Sequence, residues 1–182
     1  ANNRAYLSKG VQSVINKSFQ NNNTTHHLSL SARYHYDEMD RFQWEDKYQM
    51  LNGIMHLNKK GIPGSNSNRI QYSKALASYI NYKIKMAKLI LNLGLRHEHI
   101  KSHRDDYGKS DAERKGIDLS SRENIINSLI PGFGLLYKIN PSSNTFLGIH
   151  KGFSPSGDKP ETNPEKSINY EVGFRTKSIK LE

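Results

Sequence analysis

Arg33, His35, Arg41 and Arg96 stand at the polar positions of segments in which polar and apolar residues alternate. A guanidinium or imidazolium held there can grip an anion, because charge-assisted hydrogen bonds to carboxylate or phosphate oxygens are the strong ones. Arg96 has an ordinary role too, shared with Glu171 and Arg175: ion pairs that hold neighbouring strands in register. His97 and His99 share one parity, so two imidazoles could meet one metal ion. No carboxylate of that parity completes the set, and no metal site is expected. Asp105, Asp106, Asp111 and Glu113 lack the glycine and spacing of a calcium loop and read as solvated loop charge. Catalysis finds no footing. The chain has no Gly-x-Ser-x-Gly elbow, no His-Glu-x-x-His, no phosphate-binding glycine loop and no cysteine nucleophile. It does not read as an enzyme.

The elements that must position these cations are β-strands. From Ile168 the residues alternate strictly, with Ile168, Tyr170, Val172 and Phe174 on one side and Asn169, Glu171, Gly173 and Arg175 on the other. Seven such segments are expected: residues 4–19, 26–41, 69–84, 89–98, 128–139, 145–153 and 167–177. The connections between them run short, long, short, long, short, long. The long ones cover residues 42–68, 102–123 and 154–165. The first holds the breaker run Gly61-Ile62-Pro63-Gly64-Ser65-Asn66, and a short one holds Asn140-Pro141-Ser142-Ser143-Asn144. A meander with every long loop at one end is what an outer-membrane barrel produces. Tyr34, Tyr36, Tyr82, Tyr137, Tyr170 and Phe174 fall on the apolar parity, where interfacial aromatic girdles lie.

Composition agrees. Only 35 % of the 182 residues are hydrophobic, against roughly 45–50 % in ordinary globular domains. No stretch reaches the ~18–20 apolar residues of a membrane helix, which excludes a helical membrane protein. The net charge of +10 comes from 27 basic residues interleaved with 17 acids. Without a Lys/Arg block, no nucleic-acid partner is expected. A basic surface suits anionic lipid phosphates or an anionic chelate equally well. The absence of cysteine fits an envelope protein. Both ends read as cut, Ala1 on the approach to a strand and Ile179 to Glu182 at the beginning of another turn.

Four motifs then carry a resemblance. Pro160-Glu161 followed by Pro164-Glu165-Lys166-Ser167-Ile168-Asn169-Tyr170-Glu171-Val172-Gly173-Phe174-Arg175 resembles the "PE-(x)n-PEKS-x-NYE-x-G-x-R" signature of TonB-dependent outer-membrane receptors. Leu93-Gly94-Leu95-Arg96-His97-Glu98 resembles the family's "GLRYE" strand, with His97 in place of the tyrosine. Ile130-Pro131-Gly132-Phe133-Gly134-Leu135-Leu136-Tyr137 resembles "LPG-x-GLLY". His150-Lys151-Gly152-Phe153-Ser154-Pro155 resembles "GFxPP", with Ser156 replacing the second proline. Their order and spacing are those of the family over roughly residues 70–182, and the GFxPP-like segment leans toward the receptors for ferric dicitrate and related chelates.

The resemblance implies an all-β fold: an antiparallel meander of about seven strands, residues 1–182 forming part of a transmembrane barrel, with the plug domain and the C-terminal strands outside it. It implies an active importer of a ferric dicitrate or siderophore chelate in the outer membrane of a Gram-negative bacterium. The expected partners are the chelate, the TonB complex reached through an N-terminal region, and outer-membrane lipid and lipopolysaccharide. No cofactor is implied, iron entering only within the transported chelate. Substrate capture would fall to lumen-facing cations, for which Arg33, His35, Arg41 and Arg96 are the candidates. A non-transporting outer-membrane barrel and an extracellular β-rich binding module are the alternatives. A soluble module should bury the Leu89–Leu95 stripe against a second sheet, whereas a barrel should present it to lipid.

Overall fold

Alternation over long segments, punctuated by turn residues, gives strands and nothing else. A computed structural model of the chain describes residues 2–177. The strands are β1 (Asn2–Asn21), β2 (Thr24–Gln43), β3 (Lys47–Leu51), β4 (Ile54–Lys59), β5 (Ser67–Lys85), β6 (Leu89–Asp106), β7 (Ser120–Lys138), β8 (Ser143–Ser154) and β9 (Glu165–Thr176). Seven form one antiparallel sheet in the order β1-β2-β5-β6-β7-β8-β9, while β3 and β4 pair as a separate hairpin. The expected turn at Ile179–Glu182 lies outside the described residues.

The pairing keeps one register across the sheet, and the register sorts the side chains. One rung reads Leu28, Tyr82, Leu93, Phe133, Ile149 and Tyr170 from β2 to β9. The adjacent rung, on the opposite face, reads Ser29, Asn81, Gly94, Gly132, His150 and Asn169. A slip of one residue would exchange the two faces, so burial of either face fixes the register. The tyrosines expected on the apolar parity, and Phe174, all fall on that face.

Among the described residues, no second layer of strands covers the apolar face. Among the strands, each member of the large sheet touches only its sheet neighbours, and β3 and β4 touch only each other. Leu93 remains 41 % exposed and Val172 80 % exposed, and among the described residues the only buried hydrophobic one is Ile126. Each large apolar side chain left in water forgoes roughly 1.5–3 kcal/mol. This is a single-layer wall whose apolar face requires a non-aqueous neighbour. The second sheet that a soluble binding module would need is absent among the described residues.

Two connections differ from the sequence reading. The connection 42–68 carries the β3–β4 hairpin, closed by Asn52 and Gly53, both at positive φ (50° and 79°). Asn-Gly between two apolar runs is the strongest short-range hairpin cue. The connection 102–123 shrinks to 107–119, because β6 and β7 stay paired to Asp106 and Ser120. Polar pairs hold this extension where alternation fades: Lys101 Nζ lies 2.8 Å from Glu123 Oε2, and Ser121 donates to Asp105.

The signature strand also has a physical reading. Gly173 pairs with Phe146, whose ring lies over it; a Cβ at Gly173 would stand 2.3 Å from that ring. The Arg175 guanidinium stacks on the same ring, 4.8 Å from its centroid. The ion pair expected of Arg175 is replaced by this cation–π contact, and Glu171 forms no ion pair among the described residues.

Candidate functional site

Positive charge collects on the polar face at the end that carries the long connections. One rung there reads Arg4, Arg41, Arg69 and Asp106 across β1, β2, β5 and β6. The next rung inward reads Gln71, Arg104 and Arg122 across β5, β6 and β7. Five guanidiniums therefore share two adjacent rungs of one face. Like charges so placed repel, and two carboxylates offset them. Asp106 pairs with Arg104 on its own strand and accepts from Gly108 N at 3.2 Å. Asp158 arrives from the connection between β8 and β9.

That connection folds back over β7. Asp158 is 8 % exposed. It accepts from Gln71 Nε2 at 3.0 Å and from Arg122 Nε at 2.5 Å, and Arg104 Nη1 lies 4.0 Å away. The Asn124 side chain donates to Ser156 Oγ, to Gly157 O and to Thr162 O, each at 3.1 Å. The loop thus lies over the arginines with its own carboxylate among them. The Nε atoms of Arg69 and Arg104 are buried and without a hydrogen-bond partner. A buried donor left unpaired costs about 1–3 kcal/mol. The oxygens of an anionic ligand are the chemistry that would satisfy both.

A second anchor fixes the 107–119 connection at the same rim. Arg114, at φ 56°, grips Asp40 through two bonds, Nη1 to Oδ2 at 2.9 Å and Nη2 to Oδ1 at 2.5 Å. Its Nε donates to Asn68 Oδ1 at 2.8 Å, and its plane lies over the rings of Phe42 and Tyr107. The hydrogen bond to Asp40 raises the Arg114 pKa above its ordinary value. Burial pushes the Asp111 carboxyl up, but bonds from the N–H groups of Lys115, Gly116 and Ile117 outweigh it and hold the group below the usual carboxylate range.

Arg33, His35, Arg41 and Arg96 all lie on the polar face, at three separate places. Arg41 belongs to the arginine cluster, with its Nε on Gln43 Oε1 at 2.6 Å. Arg33 and His35 sit beside each other further down β2, where Nη2 meets Nδ1 at 3.3 Å and His35 Nε2 meets Asp37 Oδ2 at 2.7 Å. Arg33 is roughly 27 Å along the strand from Arg41, at ~3.4 Å per residue. Arg96 pairs with Glu98 on its own strand, next to the Asn81–Gly94–Gly132–His150 rung. His97 and His99 face the apolar side.

Parity alone missed Arg4, Arg69, Arg104 and Arg122. Alternation says which face a residue takes, but not which residues of neighbouring strands meet. Turn geometry held the cue: Arg4 and Arg41 are equidistant from the Asn22-Asn23 turn, and tight antiparallel turns set register.

Residues 1–181 match the family described as TonB dependent receptor-like, beta-barrel. Three solved structures share the fold. The ferric citrate transporter FecA in the unliganded form superimposes with a TM-score of 0.75 at 18 % identity, over 95 % of this chain and 25 % of that one. The ferric-catecholate import receptor Fiu from K12 E. coli, in its closed form, gives 0.73 at 14 % identity over 98 % and 30 %. The siderophore receptor PiuA from Acinetobacter baumannii gives 0.68 at 14 % identity over 94 % and 29 %. The chain thus spans between a quarter and a third of the receptors it matches. With that family match over nearly the whole sequence and a single-layer antiparallel wall of the same architecture, the chain belongs to the TonB-dependent receptor β-barrel family.

Proposed function

We propose that this chain forms part of the wall and rim of an outer-membrane importer for an anionic ferric chelate, of the ferric dicitrate or siderophore type. Transport is driven from the inner membrane through TonB. The observation that carries this reading is the arginine cluster: five guanidiniums on two rungs of the polar face, two of them with buried, unpartnered Nε donors. In a closed barrel the polar face is the lumen, so the cluster lines the entrance. It offers carboxylate- and phenolate-type oxygens charge-assisted hydrogen bonds in a partly desolvated setting. Nothing in this role needs a catalytic residue or a resident cofactor, and iron belongs to the cargo.

The test is binding and uptake of radioiron by outer membranes and cells of a Gram-negative host that lacks its own chelate receptors and expresses the gene product carrying this chain. Ferric dicitrate and a panel of siderophores are the probes. Binding without energy and uptake only with a functional TonB complex are expected. Arg69→Gln with Arg104→Gln should weaken binding about 10²- to 10⁴-fold, from roughly 1.5–3 kcal/mol for each of two charged hydrogen bonds. Saturable binding of no ferric chelate, or equal binding by the double variant, would sink the reading.

A further inference from the structure

Asp158 reaches the arginine cluster from a loop, not from a strand. It is buried, and both its oxygens are engaged: Oδ1 accepts from Gln71 and Oδ2 from Arg122. Asp106, by contrast, stands on β6 itself, two residues from Arg104. An acid fixed on the wall belongs to the cluster for good, whereas an acid on a loop can leave it.

The loop is held so that the carboxylate stays close. Its ends are the last residue of β8, Ser154, and the first of β9, Glu165. The Asn124 side chain donates to three of its groups, and Ser156 Oγ donates to Thr162 O at 2.6 Å, closing the loop on itself. A group on a short flexible linker competes at an effective concentration in the millimolar range, and a pinned loop has less freedom still. The cluster stands beyond the edge that the apolar belt of the opposite face reaches at Leu76 and Leu95. Dissolved anions of the outer medium therefore reach it, and each must contend with the tethered carboxylate.

Asp158 nevertheless leaves donors over. Its two oxygens serve Arg122 and Gln71, while the buried Nε groups of Arg69 and Arg104 bond to nothing. A ligand with several anionic oxygens can replace both bonds of Asp158 and satisfy those two donors as well. An ion with a single carboxylate or phosphate group exchanges one set of bonds for an equal one and loses to the tether.

We infer that Asp158 is a specificity-determining residue, a built-in competitor that keeps small anions off the arginine cluster and yields to a chelate rich in anionic oxygens. The inference rests on the reading of the cluster as a chelate site, and the experiment separates the two. Radioiron binding of ferric dicitrate and of the siderophore panel is measured on outer membranes holding the gene product that carries this chain. Inorganic phosphate or acetate is added at constant ionic strength. Phosphate at about 1 mM, no higher than the effective concentration of the tethered group, should leave binding to the unmodified protein unchanged. In Asp158→Asn, half-inhibition should need about tenfold less phosphate or acetate, or lower still. The chelate itself should bind that variant more tightly by a similar factor, because nothing has to be displaced.

Should the Asn variant not insert, the unmodified protein decides. Indifference to 1 mM phosphate alongside displacement by unlabelled ferric chelate supports the competitor, and half-inhibition at about 1 mM or below overturns it. Binding of no ferric chelate by the unmodified protein removes the chelate reading and the competitor with it. Chelate binding with equal small-anion sensitivity in both proteins, or weaker chelate binding by Asp158→Asn, overturns the competitor alone.

Discussion

Gly173 shows how a motif residue can be fixed by packing alone. The Phe146 ring occupies the space that a side chain at Gly173 would take, and Arg175 stacks on that ring. Gly173→Ala should destabilise the folded barrel by about 1–3 kcal/mol, the usual cost of overpacking. Adding Phe146→Leu should recover most of it; urea midpoints in vesicles compare the three proteins. Equal midpoints for Gly173→Ala and the parent would mean that the ring has another place to go. The Lys/Arg distinction matters here as well. Arg175→Lys keeps the charge but loses the planar stacking surface.

The two rim connections are the elements in which side-chain chemistry outweighs strand pairing. Asp158 holds the 155–164 loop over the arginines. In Asp158→Asn the charge is gone and the loop should loosen, so glutamyl-endopeptidase cleavage after Glu161 should rise severalfold while the strands stay protected. No increase would mean that the Asn124 bonds suffice. The 107–119 connection depends on the Asp111 carboxylate. Its folded-state pKa lies below the ordinary ~3.9, so its contribution is fully present above that value and is lost as pH falls through the depressed one. Amide-exchange protection of residues 115–117 should therefore be flat from pH 8 to about 5 and fall below about pH 4. Asp111→Asn should abolish that step. These elements were the least legible in the sequence. Alternation exposes a strand only where one face is apolar, and β6 and β7 run on past the belt, where Lys101–Glu123 and Ser121–Asp105 replace it. The hairpin at Asn52-Gly53 was legible by turn chemistry, but its strands carry no neighbour to sharpen their pattern.

For the molecule as a whole, the sheet order, the apolar and polar faces and the alternation of loop lengths all followed from period-two patterning and turn residues. The arginine cluster on the polar face did not, because a site shared by five strands exists only once register is known. The wall has two unpaired edges, β1 and β9, and inside a bilayer such edges must be paired. The belt also carries directional information. Its boundary on the long-loop side passes from Tyr36 through Leu76 and Leu95 to Ile168, a net drift along the pairing ladder of roughly one residue per strand. At ~3.4 Å rise and ~4.8 Å strand spacing, that drift is an inclination of about 35° between strand and membrane normal, as barrel closure demands. Polarised infrared dichroism of the amide I band in oriented bilayers should return that angle within the roughly 35–45° range of such barrels; strands upright to within about 15° would break the correspondence. The edge of an oily stripe, traced from one strand to the next, thus works as a protractor written into the sequence.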